Sequence, residues 1–334
     1  MQIPPKYTIT SEILALISQI ESHSMYFSSL NLSPNLKERI TRVSLLKSSL
    51  FSARIEGNLL ELSDFDSGNK EDLKKLEIFN ITDGINLINS KVKKGKLKKD
   101  LLLNLHACIL QNLSPDAGCF REEASAIFNQ AGIPIYINPK ASDIHSFLKK
   151  MFLYINSEKE KFPIITAFIT HLIFEKIHPF LDGNGRVGRL LIQATLKAKG
   201  WNVGFTIPFE EYLDEHKNEY YFHLDKGFKE TNEYLIFMLE AFLSQLEKIK
   251  VQIEEEKEKK EPFLPPRQEE ILNIIKDQKV VSFDMIRRRF LKIPERTLRY
   301  DLKKLVGNGL VETSGQTKGR YYRIISSSTT QHEF

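Results

Sequence analysis

Midway along the chain, a polar stretch rich in turn-forming residues separates two apolar runs: His178-Pro-Phe-Leu-Asp182-Gly183-Asn184-Gly185-Arg186-Val-Gly188-Arg189. Upstream, Ile165, Phe168, Ile169, Leu172 and Ile173 repeat with the spacing of one helix face. Proline has no backbone N–H and clashes with the preceding turn, so that helix must end before Pro179. A second helix leads out from about Asn184 through Leu190-Leu-Ile-Gln-Ala-Thr-Leu. Both apolar faces need partners, and the rest of the body supplies helices. Ile13, Leu16, Ile17 and Ile20 mark one. Ser33-Pro34 opens another, with serine as N-cap and proline at the first helical position. It carries Leu36, Ile40, Val43, Leu46, Leu50 and Phe51 and ends near Gly57-Asn58. In this body only Ala124 to Asn138 reads strongly as strand. It is β-branched and aromatic and broken at Ala131-Gly132, which predicts a hairpin. The expected class is mainly α.

The interhelical loop gathers groups suited to phosphate. Gly183, Asn184 and Gly185 fall at a helix N-terminus, where unpaired N–H groups and the positive end of the dipole favour an anion. Arg186 and Arg189 add forked, charge-assisted donors. Asp182 is a hard carboxylate suited to Mg²⁺ that keeps waters and phosphate oxygens as further ligands. His178 can take a proton near neutral pH. Gly183-x-Gly185-x-x-Gly188 also spells the dinucleotide fingerprint, but that requires a preceding strand in a βαβ unit, and here a helix precedes it. No GxxxxGK[ST] phosphate loop occurs.

Composition narrows the class. The 334 residues are 41% hydrophobic and 27% charged, which excludes a fully disordered chain. No apolar run approaches the roughly 18 residues of a membrane span, the best, Tyr234 to Leu243, being short and holding Glu240. With only Cys108 and Cys119, neither a disulfide scaffold nor a four-thiolate zinc site can form. MQIPPKYTIT lacks the basic-then-apolar pattern of a signal peptide. A cytoplasmic protein is expected, without membrane contact. The net charge of +5 is uneven: from Ile271 onward 13 Lys/Arg face 6 Asp/Glu, so the body is slightly acidic. Any nucleic-acid contact therefore belongs to the tail.

Three further segments carry information. Ser52-Ala-Arg-Ile-Glu56-Gly57-Asn58 puts Ser52 and Glu56 on one helix face, one turn apart. A carboxylate in the last turn opposes the helix dipole and is better placed beside a guanidinium, although an ordinary surface glutamate would read the same. His106 and His171 lie on apolar helix faces, as expected of buried, hydrogen-bonded histidines, and both cysteines look structural. A Glu/Lys run, Glu254 to Glu261, then Pro262-Phe-Leu-Pro-Pro266, reads as a helix end and a stiff linker. Beyond it come a helix around Ile271, a short strand at Val280 to Ser282, a second helix, a third burying Leu298, Leu302 and Leu305, and a hairpin.

His178 to Arg189 matches the Fic-family motif HPFx[DE]GNGRxxR at every specified position. Gly118-Cys-Phe-Arg121 resembles the entry to that family's β-hairpin flap, and the similarity covers roughly Ser44 to Phe242. The resemblance implies a Fic helical core with a β-hairpin flap, and AMP transfer from ATP to a hydroxyl of a target protein or of the chain itself. It makes His178 the base and Asp182 the Mg²⁺ ligand, and puts Gly183, Asn184, Gly185, Arg186, Gly188 and Arg189 on the polyphosphate. Tyr220 and Tyr221 would lie beside the nucleoside, and Ile127, Phe128, Asn129 and Gln130 in the flap that holds the target. Ser52 and Glu56 match the pattern [ST]xxxE[GN] of an inhibitory helix, which implies that Glu56 takes Arg189 from the γ-phosphate. The tail resembles a small winged helix-turn-helix (α+β) domain, with Arg296, Thr297, Arg299 and Lys303 as possible DNA contacts; such modules also dock proteins. The expected layout is 1–95 helical with the inhibitory helix at about 36–57, 96–247 catalytic core, 248–266 linker, 267–326 winged helix and 327–334 disordered tail. A homodimer is compatible with this. The other reading is a DNA-binding regulator whose core senses nucleotide or transfers another phosphate-containing group.

Overall fold

The computed structural model describes residues 1–66, 72–128, 134–258, 264–315 and 320–325. Two compact units divide between Val251 and Gln252. In the first unit the body is built from α1 (Ser11–Ser29), α2 (Pro34–Ile55), α3 (Leu73–Lys91), α4 (Asp100–Ile109), α5 (Ile144–Ile155), α6 (Pro163–Ile177), α7 (Asn184–Ala198), α8 (Glu210–Glu215), α9 (Lys217–Lys226) and the greater part of α10 (Thr231–Glu258). A hairpin of β1 (Ala126–Phe128) and β2 (Pro134–Ile137) precedes α5. The fold is mainly α, with little antiparallel sheet.

α6 is the axis of this unit. Every residue from Ile164 to Ile177 is buried, as expected of a helix apolar on most of its circumference and packed on several sides. α5 and α7 lie against it. The approach of α7 is close because Gly188 has no side chain: a Cβ there would strike the Glu175 carboxylate and come within 3.2 Å of Phe174. The hairpin is fixed to the end of α6 by Tyr136, whose hydroxyl donates to the Lys176 carbonyl at 3.0 Å. Its register runs Ala126–Ile137 and Ile127–Tyr136, then slips before Phe128.

α2 starts as its sequence predicts, with Ser33 accepting from the Leu36 N–H. Its buried face differs from the expected apolar stripe. Ile40 and Leu50 are buried, but Leu36, Val43, Leu46 and Phe51 are only half covered, whereas Ser44, Ser48, Ser49 and Ser52 are buried. The reason lies in what the helix meets. Ser48 accepts from Gln193 at 3.2 Å, Ser49 bonds Thr82 at 2.9 Å, and Ser52 faces Arg189, so this face matches polar groups rather than a hydrocarbon core.

The second unit contains α11 (Pro266–Gln278), β3 (Val280–Ser282), α12 (Phe283–Arg289), α13 (Glu295–Gly307), β4 (Val311–Ser314) and β5 (Tyr321–Ile324). The three strands form an antiparallel sheet in the order β3–β5–β4. Its own core includes Ile271, Ile275, Val281, Ile286, Leu298, Leu302, Leu305 and Val311. Residues 327–334, expected to be disordered, lie outside the described residues. Among the described residues no helix is long and apolar enough to cross a membrane.

Candidate active site

α6 ends at His178, whose backbone is left-handed (φ 49°, ψ 61°). An L-residue with a Cβ occupies this region at a cost of about 1–3 kcal/mol, so the surroundings must enforce it. Pro179 disfavours the right-handed helix at His178. Arg121, 3% exposed, clamps the turn: Nε donates to the His178 carbonyl at 2.8 Å and Nη2 to the Ile177 carbonyl at 3.4 Å. Its own N–H donates to the Pro179 carbonyl. The sequence marks Arg121 only as part of a flap-entry motif. Its role as the brace of the histidine turn depends on backbone carbonyls, which side-chain patterns do not record.

The His178 ring is directed by one hydrogen bond. Nδ1 lies 3.3 Å from the Glu175 carbonyl, which can only accept, so Nδ1 carries the proton and Nε2 keeps its lone pair. Burial lowers its pKa to about 4, partly offset by that backbone bond, so the ring is neutral at pH 7. His106 supports the other side of the loop. Its Nδ1 accepts from the Gly118 N–H at 2.9 Å, which leaves Nε2 to donate to the Asp182 carbonyl at 3.0 Å, and its ring stacks on Phe180 at 3.7 Å.

α7 begins at Asn184 after Gly183, which is left-handed at φ 76° and faces Ile109, His106 and Leu110, so a side chain there would be strained and crowded. The Asn184 side chain turns inward: Oδ1 accepts from the Phe180 N–H and Nδ2 donates to the Phe180 carbonyl. It closes the loop and leaves backbone groups to meet a ligand. The first N–H groups of α7 have no acceptor within the helix. Above them sits Glu56, since a Cβ on Gly185 would collide with its carboxylate.

Arg189 is 1% exposed and held by Ser52 of α2 and by Glu56 just beyond its end. Nε donates to Ser52 Oγ at 2.9 Å, while Nη2 donates to the Ser52 carbonyl and to Glu56 Oε1, each at 2.8 Å. Burial works against its charge, but the Glu56 carboxylate together with Tyr220 and Tyr221 offsets that and raises its pKa. The structure brings Glu56 and Arg189 together. Arg186 is held differently: Nη1 donates to Glu77 Oε1 at 2.6 Å and Nη2 to Asp182 Oδ1 at 2.9 Å. Its fork is occupied by carboxylates rather than left open for phosphate.

Two further residues sit away from their expected places. Gly188 does not join the anion loop and serves the α6–α7 contact instead. Tyr220 is 1% exposed, with its hydroxyl 3.0 Å from His171 Nε2, inside the core. His171 Nδ1 lies 2.8 Å from the Tyr234 hydroxyl, and burial lowers the imidazole pKa to about 3, so His171 is a neutral core residue as its helix position predicts. Tyr221 stays at the surface, donating to the Ile55 carbonyl at 3.2 Å. Cys119, read as structural, is exposed. In the flap, Ile127 and Phe128 are strand residues, while Asn129 and Gln130 lie outside the described residues. In the second unit Arg296, Arg299 and Lys303 are exposed on α13 and Thr297 is half-buried; Arg299 lies over the Phe283 ring at 3.8 Å.

Fold and site together define a helical protein that presents a helix N-terminus beside a neutral histidine. Residues 96–196 match the Fic/DOC family, and the chain carries a Fic domain. It is 28% identical over 185 residues to protein adenylyltransferase Fic of Drosophila yakuba, covering 52% of this chain and 35% of that one. With the same-named protein of Drosophila virilis it shares 30% over 162 residues, covering 45% and 32%. The chain thus spans about a third of the length of these curated relatives. A crystal structure of a Fic family protein from Desulfovibrio desulfuricans G20 has the same fold, with a TM-score of 0.71 at 20% identity over 99% of each chain. A Fic domain containing signaling protein from Bacteroides thetaiotaomicron VPI-5482 aligns at 0.57 and 21% identity, covering 71% of this chain and 94% of that one.

Proposed function

We propose that the chain is an autoinhibited protein adenylyltransferase, moving AMP from ATP to a hydroxyl of a target protein or of itself. The observation that carries this reading is the loop: a neutral imidazole, an exposed carboxylate and a helix N-terminus within a few residues, in a Fic domain. His178 Nε2 takes the proton of the attacking hydroxyl, whose oxygen bonds to the α-phosphorus as the α–β bridge breaks and pyrophosphate leaves. The N–H groups at the start of α7 hold the phosphate charge without reorganising.

Asp182 suits a Mg²⁺ site. Its side chain is 67% exposed, and Oδ1 is engaged by Arg186 and by the Gly183 N–H. A single hard carboxylate beside a phosphate site is the usual protein share of such a site. Mg²⁺ there would neutralise polyphosphate charge.

Glu56 is the brake in this reading. It lies over the N-terminus of α7 and holds Arg189, so ATP cannot use the cradle and the guanidinium while it stays. The test is incubation with Mg²⁺ and ATP labelled at the α-phosphate, comparing the wild type with Glu56→Gly. Transfer of label to protein, stronger in the variant, supports the reading; no labelling from either refutes it.

The second unit reads as a winged helix, supported by its helix–strand–helix–helix–hairpin order and by the exposed Arg296, Arg299 and Lys303 on α13. Duplex DNA is the partner this basic helix suits best.

A further inference from the structure

Asp182 does not stand alone. Arg186, 6% exposed, spans two carboxylates with its two Nη groups, and its Nε has no acceptor among the described residues. Glu77, at the start of α3, takes Nη1 through Oε1. Its other oxygen accepts from Asn58 Nδ2 at 2.8 Å. Asn58 is itself fixed: Nδ2 also donates to the Lys74 carbonyl, Oδ1 accepts from the Leu60 N–H, and its backbone N–H returns to Ala53. Asn58 stands two residues beyond Glu56, so a continuous set of hydrogen bonds runs from the end of α2 through Glu77 and Arg186 to Asp182.

From this arrangement, and resting on the nucleotide reading above, we infer that Glu77 is a positioning residue for the metal–nucleotide complex. A guanidinium fits a carboxylate with two parallel hydrogen bonds when nothing else competes for it. Glu77 is the competitor. It draws one end of the Arg186 fork away, which leaves Arg186 holding Asp182 at Oδ1 alone. Charge acts in the same direction. Glu77, Arg186 and Asp182 together carry one net negative charge, whereas a neutral residue at 77 leaves the trio neutral and less attractive to a divalent cation. Groups that orient a metal ligand typically change metal affinity by about 10–100-fold when removed.

The experiment measures ATP binding by calorimetry, once with Mg²⁺ and once with a chelator, in the Glu56→Gly, His178→Ala protein, where the brake is absent and no turnover occurs. The ratio of the two affinities isolates the metal. Glu77→Gln is expected to lower that ratio about tenfold or more, with chelated-ATP affinity unchanged. Glu77→Asp, which keeps the charge, should retain most of it. An equal loss in both conditions would make Glu77 merely structural, and an unaltered ratio in a folded Glu77→Gln protein would overturn the inference directly. If the parent protein binds ATP under neither condition, the nucleotide reading fails and this inference with it.

Discussion

The proposed reaction needs a base free of protons at working pH, and burial keeps the His178 ring in that state. With its pKa near 4, the folded protein keeps the ring neutral across a range where an ordinary imidazole, near 6.5, would protonate. Transfer activity should therefore persist below pH 6 and fall only as pH approaches 4, as rates measured across that interval will show. The linkage has a definite sign: between those two values the unfolded chain binds the proton and the folded chain does not, so stability declines as pH falls through the window. His178→Ala should abolish transfer yet bind ATP with nearly wild-type affinity, because the imidazole acts on the hydroxyl rather than on the nucleotide. Arg189 gives the complementary test. Removing one side of a partly buried ion pair is costly, on the order of a few kcal/mol, so the braked arrangement should predominate strongly in the wild type. Glu56→Gly should raise self-labelling well above the wild-type rate, and the double variant Glu56→Gly, Arg189→Ala should lose most of that gain in the same assay. His178, Asp182 and Arg189 were legible in the sequence because short spacings gather them on one loop, whereas Glu56 and its pairing with Arg189 rested on the family resemblance. Glu77 was not legible, because no motif or local pattern marks it, and Arg121 was named only in the flap-entry motif, since its bonds to the His178 turn are to backbone carbonyls.

At the scale of elements, α6 and α7 are held close by the absence of an atom. Gly188→Ala places a methyl group against Glu175 and Phe174. Glu175 can yield little, being buried, with a pKa that burial raises to about 8. Overpacking of this kind costs about 1–3 kcal/mol, a loss that denaturant unfolding of the variant will measure. The site would feel it too, because Arg189 follows on the same helix. Helix periodicity located α6, α7 and the ends of α2, and strand composition located the hairpin. Periodicity failed on the burial of α2, where serines occupy the inner face, because it scores hydrophobicity and the neighbouring surface is polar. The family resemblance put Gly188 on the polyphosphate and Tyr220 beside the nucleoside; here Gly188 lies against Glu175 and Phe174, and Tyr220 is buried with its hydroxyl on His171.

For the whole molecule, the division at Val251 and Gln252 implies that the first unit stands without the second. A chain ending at residue 258 should unfold cooperatively and retain labelling in the Glu56→Gly background, which thermal melting and the transfer assay will test together. Any affinity of the intact chain for duplex DNA should vanish with the deletion and fall steeply with added salt. The charge imbalance of the tail was plain in composition; the β3–β5–β4 order was not, because pairing between strands at opposite ends of a unit leaves no local signal. The serine face of α2 bears on how the resting protein gives way. Four of the eight residues that α2 buries are serines, and a buried hydroxymethyl group contributes far less transfer free energy than a leucine side chain. Directed bonds to Thr82, Arg189 and Gln193 share in seating the helix, and the expectation is that it opens before the fully buried α6 does. Amide hydrogens of α2 should exchange well before those of α6, and a partner that captures the detached helix would act as an activator without touching the catalytic loop.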